Sequence, residues 1–347
     1  MTKLVIPLVN QLSYTSIPRN KDLGLQIKNT CNFPYRTLVV DWHGNCFICA
    51  CEAWLPITVG NIMDFDNLID IWNTPTSKVL QQDVDQKLFT NCAVDRCGIT
   101  NTDNVYDYYY VSINIDESCN LRCPSCRTEA RMLQDGPEFD KKLAMVNHLV
   151  KLLENFDYPC HIVMSGNGDP LASHIMRPLV QNYTPLSNHT FRLFTNGLLL
   201  KKQLPASRLT EHITQFFISI DAGSAEVYER VRLGGNFNLL LENFNYLRTL
   251  SNSLGAEVLL KFVLQKDNWH DMYNFVNLCH QYEFNGVINR LEDWGTWSNF
   301  SEQDVIGNEN HPDHVDAITM LADVYAQHHK TIQFNSSLAK IADEQFR

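Results

Sequence analysis

Long hydrophobic runs are missing from this chain, and positive charge is in deficit. No stretch of its 347 residues approaches the roughly 20 apolar residues of a membrane helix. Residues 1–10 are briefly apolar but too short for a signal-peptide core with a cleavage site. The expected setting is therefore cytoplasmic, with no membrane partner. Lysine and arginine number 28 against 39 aspartates and glutamates, a net charge of −11. With no basic run to track a phosphate backbone, the sequence argues against nucleic acid as a partner. What remains is an ordinary globular composition, 44% hydrophobic and 19% charged, long enough for one large α/β domain and a smaller one.

Cysteine is what the chain has in plenty. Eleven thiols without an export signal, and in odd number, do not read as a disulfide framework. Six fall within residues 31–97 and three within residues 119–126, a clustering that speaks for metal. The tighter group is Cys119-Asn-Leu-Arg-Cys123-Pro-Ser-Cys126, directly after the apolar run 108–115. Three thiolates can hold an iron–sulfur cluster but leave one iron open. A zinc knuckle, the alternative, wants a fourth Cys or His close by. The C-x3-C-x2-C spacing resembles the radical S-adenosylmethionine (SAM) superfamily, in which SAM occupies the open iron of a [4Fe-4S] cluster.

The six earlier cysteines stand in a different texture. A β-like run at 37–41 meets a turn at His43-Gly44-Asn45, and a second strand carrying Cys46, Cys49 and Cys51 follows. Such a hairpin brings Cys31 and Cys49 towards one end of a ribbon. Helical stretches at 68–72 and 77–88 lead to Cys92 and Cys97. The order resembles the SPASM/twitch domains that carry auxiliary clusters in radical SAM enzymes. That resemblance implies Cys31, Cys49, Cys92 and Cys97 as four ligands of a second, closed iron–sulfur cluster. A structural zinc ribbon would use the same four thiols. Two features depart from the usual pattern: four residues separate the last pair, and the domain precedes the core. Cys46 and Cys51 read as apolar fillers.

From residue 106 strands alternate with helices, the mark of a parallel α/β fold. Strands are expected at 109–115, 160–165, 190–194, 215–220, 257–264 and 286–291. Helices are expected at 141–156 (inward face Leu143, Val146, Val150, Leu153), 225–232, 237–250, 272–282 and 313–325 (inward face Val315, Ile318, Leu321, Val324). Six strands suggest a partial (β/α)6 TIM-like barrel over 106–300, after an auxiliary domain over 1–105 and before a helical extension over 301–347. Chemistry in such barrels gathers at the C-terminal strand ends.

Polar motifs stand at those ends. Ser165-Gly166-Asn167-Gly168-Asp169-Pro170 resembles the superfamily's Gly-Gly-Glu-Pro motif, so Gly166, Asn167, Gly168 and Asp169 are implied to hold the methionyl amino group of SAM. By itself the run also reads as a Gly-Asp-Pro turn. Thr195-Asn196-Gly197 resembles a second strand-end motif and adds Asn196. Ser219 and Asp221 alternate with Ile218 and Ile220 and are expected on one strand face. The resemblance gives them the ribose hydroxyls, and gives Arg232 the SAM carboxylate. Arg232 would otherwise be a surface residue at a helix end. Lys261, Gln265 and Asn268 are expected beside SAM or substrate. Arg290, Glu292, Asp293, Trp294 and Trp297 read as a pocket wall or a packed corner.

The resemblance implies reductive cleavage of SAM to a 5′-deoxyadenosyl radical, with electrons from a flavodoxin- or ferredoxin-type donor. The radical would abstract hydrogen from a ribosomally made peptide, leading to oxidation, crosslinking or epimerisation. The thirty residues before Cys31 are too few for a leader-reading domain, so peptide recognition would need a separate protein. A small-molecule dehydrogenase or epimerase is the alternative, with Cys160 and Cys279 as candidate hydrogen donors. A non-catalytic iron–sulfur electron-transfer or scaffold protein is the rival of another class. No general acid or base is assigned.

Overall fold

A computed structural model describes residues 17–165, 168–293 and 295–344. The expectations placed on Gly166, Asn167 and Trp294 fall outside the described residues. The chain divides into two compact units. The first takes residues up to Glu117, Leu133–Asn167 and His174–Phe191; the second takes Ser118–Met132, Gly168–Ser173 and Arg192 onwards.

In the first unit the hairpin forms where the turn residues demand it. Strand β1 (Thr37–Val40) and β2 (Asn45–Phe47) pair antiparallel, Val39 opposite Phe47. Asp41 closes the turn by accepting from the amides of His43 and Asn45, both at 2.8 Å. Gly44 takes the left-handed φ of 83° that the tight turn needs. β2 ends at Phe47, so Cys49 and Cys51 lie beyond the strand and not on it as expected. β3 (Gly60–Asn61) adds to β2. β1 also pairs in parallel with β4 (Tyr109–Ile113), Thr37 against Tyr110 through Val40 against Ile113. β5 (Cys160–Met164) follows on β4, again parallel. The cysteine-rich hairpin thus extends the sheet of the βα core, and residue 105 lies inside this unit.

The second unit orders β6 (His189–Thr195, begun in the first unit), β7 (Ile213–Ser219), β8 (Glu257–Leu264), β9 (Asn285–Arg290) and β10 (Ile332–Phe334). Its pairings β7–β8, β8–β9 and β9–β10 are parallel. Strands β4 to β9 are the six of the expected (β/α)6 core; β10 was not expected. The helices Phe237–Leu254 and Met272–Tyr282 close the β7–β8 and β8–β9 crossovers. In α/β units of this kind one sheet face is covered by helices and buries apolar side chains such as Phe216, Ile218, Leu260 and Phe262.

Two helices bury a face turned from the one expected and sharing two of its four residues, Val146 and Leu153 in one, Leu321 and Val324 in the other. Pro137–Glu154 turns in Met145, Val146, Leu149, Leu152 and Leu153, while Leu143 and Val150 are only half-buried. Its apolar stripe is wider than the face it buries, so periodicity alone did not fix the phase. His314–His328 turns in Ala317, Leu321, Ala322 and Val324, and leaves Val315 71% exposed. Its inward alanines admit a close approach that a larger residue would prevent.

Candidate active site and auxiliary thiol pocket

All described residues of the expected SAM site fall in the second unit. Its loop begins after Glu117 and is pinned backbone to backbone: Cys119 N donates to Arg131 O and Arg122 N to Leu233 O, both at 2.9 Å. A turn closes it, Cys126 N donating to Cys123 O at 2.9 Å. Cys119 is half-buried, Cys123 buried and Cys126 exposed. The amide of Leu121 lies 3.4 Å from Cys119 Sγ and a guanidinium nitrogen of Arg127 lies 3.5 Å from Cys126 Sγ. Donors aimed at sulfur suit thiolate ligands. Burial, then the nearby charge of Asp169, pushes the metal-free Cys119 thiol up to about 11, so this thiol loses its proton to a metal and not to solvent.

Asp169 is 2% exposed and already fully occupied. One carboxylate oxygen accepts from Thr195 Oγ1 (2.8 Å) and Asn196 N (2.7 Å), the other from Leu171 N (2.9 Å) and Ala172 N (3.3 Å). A carboxylate offers about four acceptor positions, and here the chain's own donors take them. Its backbone amide donates to Ser118 O at 2.8 Å. Asp169 therefore ties the β6 end to the cluster loop. Asn196 continues the tie, its amide nitrogen donating to Asn120 Oδ1 at 2.8 Å. Gly168 sits just ahead of Asp169 in the described chain.

Beyond β7 the alternation expected for Ser219 and Asp221 breaks. The strand ends at Ser219, and Asp221 adopts a left-handed φ of 55° that a non-glycine residue rarely holds. The surroundings fix it there: Asp221 N donates to Lys261 O (3.1 Å), and Asn268 Nδ2 donates to Asp221 O (2.9 Å). Val263 N donates to Asp221 Oδ1 at 2.8 Å. The other carboxylate oxygen lies 2.7 Å from Arg232 Nη2, in a pair with side chains 2% and 11% exposed. Arg232 Nη1 reaches Cys123 Sγ at 3.5 Å. Burial alone would lower the Arg232 pKa, but Asp221 and the Cys123 thiolate outweigh it and hold the guanidinium charged.

Around this pair the chain leaves donors over. Among the described residues, the Tyr228 hydroxyl, Arg232 Nε and Gln265 Nε2 are buried without a hydrogen-bond partner. Gln265 belongs to the same corner through Asn268, whose Oδ1 accepts from Gln265 N at 2.8 Å. Each such orphan costs about 1–3 kcal/mol, so three together call for a polar ligand. Lys261 extends over the Phe194 ring, 5.3 Å from its centroid. Burial lowers its pKa, against the opposing pull of Asp221. Three thiols and these donors fit a cluster with a polar, charged cofactor beside it. Nothing in the sequence marked the Tyr228 hydroxyl. Arg290 pairs with Asp304 at 2.9 Å, a packed corner with Gly307 against it.

In the first unit Cys31, Cys49, Cys92 and Cys97 line one apolar pocket, with Phe33, Trp54, Phe89 and Asn104 among its walls. Cys31 is placed by a bridge to Asn104, and Asn104 Nδ2 lies 3.9 Å from Cys97 Sγ. Cys92 and Cys97 are set by turns on Phe89 O and Ala93 O. Burial pushes the metal-free Cys31 thiol up to about 12, and Cys49 and Cys92 are raised for the same reason. Among the described residues no three His, Cys, Asp or Glu side chains close around a single ion. Four thiols around one pocket match the ligand count of a closed iron–sulfur cluster, and a zinc site would use the same four. Cys46 is fully buried on β2, and Cys51, absent from the pocket wall, accepts from the amides of Ala53 and Trp54. Cys160 and Cys279 are sealed in apolar core, 2% and 0% exposed. Asn104 carried no signal in the sequence.

A loop of three thiols at a strand end, joined by charged and orphaned polar groups at neighbouring strand ends, is the architecture of a cluster-and-cofactor enzyme. The family comparisons agree. A model of the radical SAM superfamily matches residues 113–279, and a model of an iron–sulfur cluster-binding domain (SPASM) matches residues 31–98. The chain belongs to the radical SAM superfamily and carries its auxiliary cluster domain ahead of the core. It is an enzyme whose cofactors are a SAM-binding [4Fe-4S] cluster, an auxiliary cluster and SAM. Curated relatives include a GTP 3′,8-cyclase of Limosilactobacillus fermentum, 29% identical over 208 residues, which cover 55% of this chain and 60% of that protein. Another is an AdoMet-dependent heme synthase of Nitratidesulfovibrio vulgaris, 25% identical over 173 residues, covering 49% and 44%. The chain thus spans about three fifths or less of these relatives' length. Among solved structures, Streptococcus suis SuiB bound to precursor peptide SuiA is 12% identical with a TM-score of 0.42, covering 80% of this chain and 66% of that one. No described helix is long and apolar enough to cross a membrane.

Proposed function

We propose that this enzyme uses SAM to start a radical oxidation of a peptide substrate, with electrons delivered by a flavodoxin- or ferredoxin-type protein. The observation that carries the reading is the contrast between its two thiol groups. Cys119, Cys123 and Cys126 form an open set of three, and Cys31, Cys49, Cys92 and Cys97 a closed set of four. When bound, the first cluster and SAM supply a 5′-deoxyadenosyl radical for hydrogen abstraction, and the closed cluster supplies a one-electron acceptor.

The chain's own part is placement. Asp169 and Asn196 hold the loop of three to the end of β6. Ser219, Tyr228, Gln265 and Arg232 Nε offer polar atoms to the polar groups of SAM, and Gly168 lets backbone approach it. Lys261 and Phe194 give the substrate side a cation over an aromatic floor. A set of four thiolates leaves no iron open to a substrate, which supports an electron role and net oxidation. The peptide class is supported by the resemblance of the four-thiol segment to the auxiliary domains of peptide-modifying enzymes. A small-molecule substrate is the second reading, favoured by the names of the curated relatives.

The test starts from anaerobically reconstituted protein. About eight irons per chain are expected, falling to about four in the triple variant Cys119→Ala/Cys123→Ala/Cys126→Ala, with dithionite-dependent formation of 5′-deoxyadenosine abolished. The wild type is then incubated with extract fractions from cells grown in deuterated medium. Deuterium entering 5′-deoxyadenosine from a protease-sensitive fraction supports a peptide; entry only from a protease-resistant small-molecule fraction overturns it.

A further inference from the structure

We infer that Asp221 and Arg232 form a built-in charge device that sets the reduction potential of the three-thiol cluster through Cys123. The inference rests on the assignment of Cys119, Cys123 and Cys126 as cluster ligands. The pair is not arranged like a site that waits only for a cofactor carboxylate. Asp221 Oδ2 already holds Arg232 Nη2 at 2.7 Å, and the other end of the fork, Nη1, stands 3.5 Å from Cys123 Sγ. Nε is the one guanidinium nitrogen buried without a hydrogen-bond partner.

The aim is fixed from both sides. Asp221 is held in its left-handed conformation by Val263, Lys261 and Asn268. Leu233, the residue after Arg232, accepts from Arg122 N at 2.9 Å, so the backbone that carries the guanidinium also grips the loop next to Cys123. Gly234 continues this contact; a Cβ there would stand 3.6 Å from Asn120 O.

A hydrogen-bonded cation at a cluster sulfur stabilises the reduced cluster, which carries one more negative charge, and so raises its potential. A carboxylate behind the cation works the other way. The two residues are thus expected to move the potential in opposite directions. Arg232→Gln should lower the midpoint of the three-thiol cluster by at least a tenfold shift in the reduction equilibrium, about 59 mV for one electron. Asp221→Asn should raise it. Arg232→Lys keeps the charge but cannot serve both Asp221 and Cys123 with one ammonium, so it should recover part of the loss.

The measurement is a redox titration followed by electron paramagnetic resonance on the reconstituted full chain without SAM, with iron per chain counted for each variant. Leaving out SAM removes any effect that works only through cofactor binding. Opposite shifts in the two variants, with iron retained and the auxiliary cluster unmoved, bear the inference out. Unchanged midpoints in Arg232→Gln and Asp221→Asn, both with full iron, overturn it, as does an Arg232→Lys midpoint no higher than that of Arg232→Gln. Loss of the cluster assignment itself would show separately, as iron that survives replacement of Cys119, Cys123 and Cys126.

Discussion

Asp169 shows how a single side chain can serve a site without touching its chemistry. Four donors converge on a carboxylate that is 2% exposed, two of them from the β6 end. The family-like sequence around it suggested a cofactor contact; the structure shows it also braces the β6 end. In Asp169→Asn one oxygen becomes an NH2 group facing donors, so two hydrogen bonds turn repulsive. A loss of about 2–5 kcal/mol is expected in denaturant unfolding, with iron released first from the three-thiol loop. Retention of that iron at wild-type stability would contradict the bracing role. The orphaned Tyr228 hydroxyl tests the opposite case: Tyr228→Phe should stabilise the SAM-free protein against unfolding, by about 1–3 kcal/mol, but weaken SAM binding, measured calorimetrically, about fivefold to tenfold.

At the scale of elements, the four-thiol pocket carries a pH dependence whose sign follows from burial. Cys31 rises from an ordinary 9.0 to about 12, so the metal-free fold favours the neutral thiol. Its contribution is complete below pH 9 and is lost as pH climbs towards 12. Metal-free protein should therefore lose melting temperature between pH 8 and about 10.5, while the cluster-loaded protein, its protons already displaced, should not. A second element depends on close approach. A Cβ on Gly223 would come within 2.0 Å of the backbone at Asn274 and Phe275, so Gly223→Ala forces the helix Met272–Tyr282 away from β7. A destabilisation of about 1–3 kcal/mol or more is expected. These elements also show what the sequence can and cannot carry. Turn chemistry placed the hairpin at Gly44, and strand–helix alternation placed β4 to β9 within a few residues. Helix phase was only half legible where the apolar stripe is wider than the buried face, as in Pro137–Glu154. β10 was not legible, since its three residues are too few to show a period. Thiol spacing announced both metal groups; the partners of Arg232 and the wall residue Asn104 depend on contacts distant in sequence, for which spacing holds no record.

For the whole molecule, the consequential contact is one the sequence kept silent. A cysteine-rich segment followed by a βα core reads as two modules, yet β1 lies in parallel register beside β4. Trp72 joins the same seam: its indole nitrogen donates to Thr37 O at 3.1 Å, and its ring lies 4.9 Å from Tyr109 and 6.1 Å from Phe156. Leu38, Val39, Val40, Ile71 and Trp72 are all buried within this unit, and each buried apolar side chain is worth about 1.5–3 kcal/mol. Removing residues 1–105 would strip that cover and leave β4 as a naked edge with unpaired amides, a template for aggregation. A shortened chain beginning at Tyr106 should accordingly be insoluble, or soluble only as aggregates, although the superfamily core and all three ligands of the first cluster remain in it. A separate module would behave differently. The shortened chain would then stay monomeric in sedimentation, bind about four irons and still cleave SAM, and that result would refute the shared sheet. The expected failure has a functional corollary. An auxiliary cluster domain that donates a strand to the core cannot be exchanged between enzymes as a unit, so its four thiols and the first core strands must fold together before either metal site can be filled.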